Sequence, residues 1–436
     1  MSKRKEKILG ELGFTYAGLS GKTQKDFGRG KPFIPFMNIM SNGKIDPKFM
    51  GLVDVAPNER QNAVQKGDLF FTTSSETPEE VGMTSVLLED VGECYLNSFC
   101  FGFRLYNFDD LVPEFAPYLF RGNEVRKQII NLGQGYTRFN LPKTELLKKL
   151  RLSLPSENEQ KRISEILTKA DSIIEKTQAA IAKYKAIKQG LLQDLFTRGI
   201  DLNTNKLRPR YEDAPELYKE SKLGMIPREW DDKIIDDIAK VNGRVGWKGY
   251  TVADLRDFGP LALGATHIDK ENKLDLTNPI HLSMEKYIES PEIMVQFGDL
   301  LIVQRGTIGK IVVIDKQIGE ATINPSMVLL NSIRINNFFL YYQLCSFIGQ
   351  LQIELLTTQT GVPMISQEQI KNINLIVPKN PKETDAIAER LKNIDAILDN
   401  EKSYLQKMQS IKKGLMEDLL SGRRQVKVSE PLIVTD

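Results

Sequence analysis

Ser20-Gly21-Lys22-Thr23 has the composition that closes a phosphate-binding loop. Such a loop needs a second glycine five positions before Gly21 so that its amides can wrap a phosphate, and Tyr16 stands there. Nucleotide binding at this place is therefore not expected. An amino-methyltransferase acting on DNA bases would carry a Pro-Pro catalytic tetrapeptide, and the chain has no Pro-Pro dipeptide. No glycine-rich turn between strand and helix marks a dinucleotide site either. The two histidines, His267 and His281, lack a metal-compatible companion at helical spacing. Cys94, Cys100 and Cys345 do not form a zinc knuckle or a disulfide framework.

The side chains that remain suit recognition. Polar loop tips carry Lys22, Thr23, Lys25, Arg29, Thr73, Ser74, Tyr136, Thr137 and Arg138 in the first third of the chain. Later tips carry Arg244, Lys248, Tyr250, Gln304, Arg305, Thr307, Thr358, Gln359 and Thr360, with His267 either facing the same partner or structural. Arg and Lys donate to guanine edges, Gln pairs with adenine, and Ser or Thr serves base or backbone. Net charge is only 59 − 57 = +2, so any surface for nucleic acid must be local. Residues 1–31 hold eight Lys or Arg against three acids, and residues 121–151 hold eight against two.

Two sets of tips arise because the chain is written twice. A shift of 224 lays residues 163–195 on 387–419, with identity at Ile163, Glu165, Leu167, Asp171, Ile173, Lys183, Ile187, Lys188, Gly190, Leu191, Asp194 and Leu195. Upstream, Leu152-Ser153-Leu154-Pro155 faces Leu375-Ile376-Val377-Pro378, and the Gly67-Asp68-Leu69 turn faces Gly298-Asp299-Leu300. Phe27-Gly28 faces Phe258-Gly259 in the same way. The unit is a mixed domain followed by a helix. Short strands are expected over 33–39, 68–72, 84–88 and 101–105, then over 260–263, 299–303, 310–314 and 327–330, with a helical stretch over 338–356.

Each repeat ends in a long apolar stripe at three-and-four spacing. Ser156 and Glu159 form a capping-box pattern at the first start. A helix of some 40 residues is about 60 Å long, suited to a coiled-coil arm. Ile163, Ile173, Ile187 and Leu191 are expected to pair with Ile387, Ile397, Ile411 and Leu415. Antiparallel pairing follows, because a parallel arrangement would send the connection back along the whole arm. The expected class is α/β: two mixed domains with largely β cores, separated by two long antiparallel helices forming a coiled-coil arm, as a pseudo-two-fold internal repeat. The expected division is a recognition domain over 1–155, a helix over 156–198, a linker over 199–220, a second recognition domain over 221–378, a second helix over 379–421 and a tail over 422–436. No run of about 18 apolar residues crosses a membrane and no signal core is evident, which predicts a cytoplasmic protein.

Four segments carry a resemblance. They are Leu223-Gly224-Met225-Ile226-Pro227-Arg228-Glu229-Trp230, the paired ends Ile187-Lys188-Gln189-Gly190-Leu191-Leu192 and Ile411-Lys412-Lys413-Gly414-Leu415-Met416, and the entry Leu154-Pro155-Ser156-Glu157-Asn158-Glu159-Gln160. With these the chain resembles the specificity subunits of type I restriction-modification systems, from Lys7 to Arg424. The first half lacks a counterpart of the Ile-Pro-Arg-Glu-Trp opening. The resemblance implies two target-recognition domains, each reading half of a split double-stranded DNA target, with the helices setting the unread spacer. It implies a chain without chemistry of its own, on which two methyltransferase subunits use S-adenosylmethionine, with restriction subunits that use ATP and Mg. The rival expectations are a DNA endonuclease with an unrecognised centre and a coiled-coil adaptor that binds no DNA.

Overall fold

The computed structural model describes residues 4–244, 249–358 and 362–427. The chain falls into two compact units, 1–178 with 403–436, and 179–402. The first unit opens on Lys5–Ile8, paired antiparallel with Arg151–Leu154. Its main sheet runs in the order Gly13–Ala17, Cys100–Leu105, Leu69–Thr72, Thr84–Val86. A three-stranded sheet adds Gly51–Val53, Phe27–Ile34 and Tyr95–Leu96. The second unit repeats every step. Trp230–Ile234 pairs with Asn374–Pro378, the main sheet is Lys240–Gly243, Met327–Asn331, Leu300–Val303, Ile311–Val313, and the smaller one is His281–Leu282, Leu255–Leu263, Ala321–Ile323.

The main sheets are buried on both faces, which is why their central strands read as unbroken apolar runs. Alternation sends Leu69 and Phe71 to one cluster and Phe70 to another. Leu300 and Ile302 likewise part from Leu301 and Val303. Each central strand follows the shared turn, where Gly67 and Gly298 both sit at φ +93°. A side chain at residue 67 would also strike the Phe108 ring, so glycine is required there twice over. The bulge after Phe27 and the one after Arg256 bend the two long strands alike.

The long helices are Glu157–Arg198 and Pro381–Ser421. The first gives residues 157–178 to the first unit and 179–198 to the second; the other gives 403–421 and 381–402. Within each unit the segments run antiparallel, as the topology predicts. Ile163 and Leu167 share a core with Leu419, and Leu415 packs on it, while Asp171 meets Lys412. In the second unit Leu195 and Phe196 share a core with Ile387 and Leu391, Leu191 packs on it, and Lys188 meets Asp395. Four expected pairing residues differ: Ile173, Ile187, Ile397 and Ile411 stay 36–42% exposed. The apolar stripe is wider than the seam, so these lie on its shoulder while Ala170, Ile181, Ile394 and Leu398 are buried in their place.

Other elements also correct the sequence reading. The stretch 199–220, expected as a linker, carries ordered structure of its own. Ile200–Asp201 and Lys206–Leu207 form a hairpin whose turn is fixed by Asp201, which accepts from Asn203 N and Thr204 Oγ1, and by Asn205 at φ 54°. Its polar residues are turn chemistry, and Arg208 beyond it is buried. The expected strand over 33–39 ends at Ile34, and Phe36–Ser41 is helical. The helical stretch over 338–356 is two helices, Asn337–Cys345 and Phe347–Leu356, because the extended Ser346 caps the second. Ala116–Arg121 and Asn123–Leu132 are their counterparts in the first unit, where no helix was expected.

Candidate nucleic-acid interface

In each unit three segments meet beyond the central strand. In the first, Thr73 N donates to Phe99 O and Thr73 O accepts from Leu141 N. Asn97 Oδ1 holds Phe99 N at 2.8 Å, and the loop 134–140 is closed by mutual bonds of Gln134 and Asn140. In the second, Gln304 N donates to Ser326 O and Gln304 O accepts from Ile365 N. Asn324 Oδ1 holds Ser326 N at 2.9 Å, and Thr358 N bonds Met364 O. The backbone frame is the same, while the side chains on it differ: Ser74 against Arg305, Phe99 against Ser326.

Thr73, Ser74, Tyr136, Thr137 and Arg138 are thus brought together. Tyr136 is 99% exposed, and Arg138 sets Nε and Nη2 on Ser74 Oγ at 3.0 and 2.9 Å. Gln304, Arg305, Thr307 and Thr358 gather in the second unit, with Arg305 and Thr307 exposed. Gln304 is a brace, its amide donating to Pro325 O at 2.9 Å. Thr358 Oγ1 bonds Met364 O at 3.0 Å and helps close the loop. Lys248, Gln359 and Thr360 lie outside the described residues. Sequence reasoning missed Phe99, 59% exposed in the Asn97-Ser98-Phe99 turn; an aromatic in a polar turn was the available signal.

Most of the remaining candidates are engaged by groups of their own fold. Lys22 is clamped between Asp54 O and Glu59, and Arg29 pairs with Asp54. Thr23 caps a short turn, its N and Oγ1 both bonding Asp26, which holds that carboxylate below its ordinary range. Thr251 and Asp254 repeat this cap beside the partly buried Tyr250. Lys25 alone of the group is exposed without a recorded pairing among the described residues. Arg244 is buried, its Nε on Ile323 O and Nη2 on Thr322 Oγ1, with Tyr250 against the guanidinium. His267 is buried with Nδ1 accepting from Gly264 N and Nε2 facing Asn278 O, a pin for its own turn. The basic run over 121–151 is also partly internal. Arg121 binds the carbonyls of Thr84, Ile39, Met40 and Asn42, and Arg126 those of Glu79, Val81 and Gly82.

The motif Ile226-Pro227-Arg228-Glu229-Trp230 is a clamp. Trp230 is fully buried and its indole N donates to Glu383 Oε1 at 3.2 Å. Glu383 also accepts from Ile200 N at 2.8 Å and from Arg208, which reaches on to Glu229. The equivalent place in the first unit, before Lys5–Ile8, is held by Arg4, which donates to the Leu419 and Leu420 carbonyls.

The type I restriction modification DNA specificity domain matches this chain twice, over residues 7–183 and 227–410. The chain therefore belongs to the type I restriction-modification specificity subunits. It is 24% identical over 316 residues to the type I restriction enzyme MjaVIII specificity subunit of Methanocaldococcus jannaschii, covering 71% of this chain and 70% of that one. In fold it is similar to the type I restriction-modification S subunit from M. genitalium, with a TM-score of 0.57, 15% identity and 96% of each chain covered. A chain from a structure of type I R-M system assembly and conformational transition gives 0.53 at 15% identity, covering 96% of this chain and 97% of that one. Among the described residues no helix is long and apolar enough to cross a membrane.

Proposed function

We propose that each repeat reads one half of a bipartite double-stranded DNA target with its three-segment tip, and that the long helices set the unread spacer. The division into recognition domains over 1–155 and 221–378 with helices between follows this reading. The chain itself performs no chemistry. Two methyltransferase subunits carrying S-adenosylmethionine dock on it, and restriction subunits using ATP and Mg join them in the cytoplasm. One observation supports the reading above others: a shared hydrogen-bonded frame presents different side chains in the two repeats. That is what two readers of different words require, since the frame positions and the side chains specify.

The test compares the isolated chain with the chain assembled on its methylating partner, on target and scrambled duplexes over a salt series. The assembly should prefer its target by at least about a thousandfold, and its log affinity should fall linearly with log salt. The isolated chain should bind weakly with little discrimination. An assembly that leaves no footprint on any duplex would sink the reading.

A further inference from the structure

The two tips differ reciprocally. Ser74 and Arg305 hold the same place after the central strand, Ser74 bridged to Asn140 and Arg305 to Met364. The loops facing them are closed by the equivalent pairs Gln134–Asn140 and Thr358–Met364. Counting from those closures puts Arg138 two residues before Asn140 and Val362 two residues before Met364. The first repeat therefore combines a small Ser74 with Arg138, and the second combines Arg305 with an exposed Val362. Each tip carries one arginine at this pair of positions, from opposite sides.

The chemistry of the two guanidinium groups also compares. Arg138 places Nε and Nη2 on a single hydroxyl, and among the described residues Nη1 and the rest of its five-donor fork have no partner. Ser74 is itself buried, which fixes the fork before any partner arrives. Among the described residues Arg305 Nη2 meets the Met364 thioether at 3.4 Å and no oxygen acceptor, and is less constrained. A guanidinium fork matches the O6 and N7 acceptors of guanine in the major groove.

Resting on the function proposed above, we infer that each repeat reads a guanine in its half of the target with this one arginine, Arg138 from the loop side and Arg305 from the strand side. The pre-set Arg138 discriminates more sharply than Arg305, because less side-chain freedom is lost when it binds.

The test gives the chain, assembled with its methylating partner, a randomised duplex library and reads the methylated sequences. Arg138→Val should relax one guanine of the first half-site by about tenfold to a hundredfold and leave the second half-site intact. Arg305→Val should do the reverse, with a smaller loss. The double change Ser74→Arg with Arg138→Val rebuilds the second repeat's arrangement in the first and should restore the guanine, which also shows that the fold survived. Replacement of residues 135–139 by glycine and serine supplies the control. If that replacement changes the first word while Arg138→Val does not, or lowers all sequences equally, the arginine assignment falls and tip reading stands. If the replacement leaves both words unchanged, both fall.

Discussion

Asp68 and Asp299 hold the same place in the two repeats and accept the same bond, from Gln65 N and Gln296 N, each at 2.8 Å. Around Asp68 the first repeat sets Arg104, at 2.7 and 2.9 Å, and the Tyr16 hydroxyl at 2.6 Å. Strand register puts Asn331 where Arg104 stands and Asn242 where Tyr16 stands, and those two amides bond each other at 3.2 Å. Asp299 is thus buried with no cation beside it among the described residues, and desolvation pushes its carboxyl from 3.8 up to about 6. One backbone frame tolerates a charge that is paired in one copy and only hydrogen-bonded in the other. Its geometry is set by the turn and strand, and the electrostatics are left to each copy.

The largest contrast to test lies at the ends of the helices. Glu383 gathers Arg208, Trp230 and Ile200 N in a buried site, whereas its repeat partner Glu159 caps a helix start at the surface, accepting from Ser156 N at 3.0 Å. Glu383→Ala leaves the buried Arg208 guanidinium with the exposed Glu229 as its one remaining carboxylate among the described residues and should cost the second unit about 3 kcal/mol. Glu159→Ala should cost the first about 1 kcal/mol, as a lost cap does. Hydrogen exchange of each unit's main sheet measures the two separately; equal losses would break the contrast.

The paired aspartates give the next test, in which one substitution has opposite signs. Asp68→Asn removes the charge that holds Arg104 above its ordinary value, and the first unit should lose about 2–3 kcal/mol. Asp299→Asn keeps an oxygen for Gln296 N and removes a carboxylate that burial disfavours, so the second unit should gain about 1–2 kcal/mol at neutral pH. The pH dependence follows from the raised value. A folded-state pKa of about 6 against 3.8 means the folded unit binds the extra proton, so this contribution is full below about 4 and is lost as pH rises through about 6. The difference between wild type and Asp299→Asn should open over that window and stay constant above it. A difference independent of pH would show that Asp299 is not the group concerned.

How far the sequence could be read follows the same division. The repeat, both long helices and the tip segments were legible because they depend on local periodicity and on spacing that a shift of the chain against itself exposes. Asp171 and Lys188 stood out as identities, and the structure explains them: each unit joins a lysine from one repeat to an aspartate and a tyrosine from the other. What was not legible depends on partners far along the chain. Lys22, Arg29, Arg244, His267 and Gln304 have residue types suited to a ligand, yet each is engaged by its own fold. Arg208 looked like part of a polar linker until Glu383, remote in sequence, was beside it. The exposed shoulder residues Ile173 and Ile411 show that a stripe gives a helix face without giving the centre of its seam.

Those joined residues give the finest comparison. Lys412 meets Asp171, which accepts from the Tyr118 hydroxyl at 2.8 Å, and Lys188 meets Asp395, which accepts from Tyr342 at 2.8 Å. Each ammonium also lies over the tyrosine ring, at 6.0 and 5.5 Å. Both lysines keep about a quarter of their side chain exposed, so the ion pairs are screened and each is worth roughly 1 kcal/mol or less. Lys412→Met and Lys188→Met should therefore cost their own units alike, within a few tenths of a kcal/mol, and both losses should shrink as salt is raised. Here the two units agree in the ion pair, the tyrosine hydroxyl bond and the ring contact, unlike the aspartates of the sheets, although Tyr118 also meets Thr168 Oγ1 and Lys44. Unequal losses, or losses that ignore salt, would mean that the methylene stems and not the charges carry the contact.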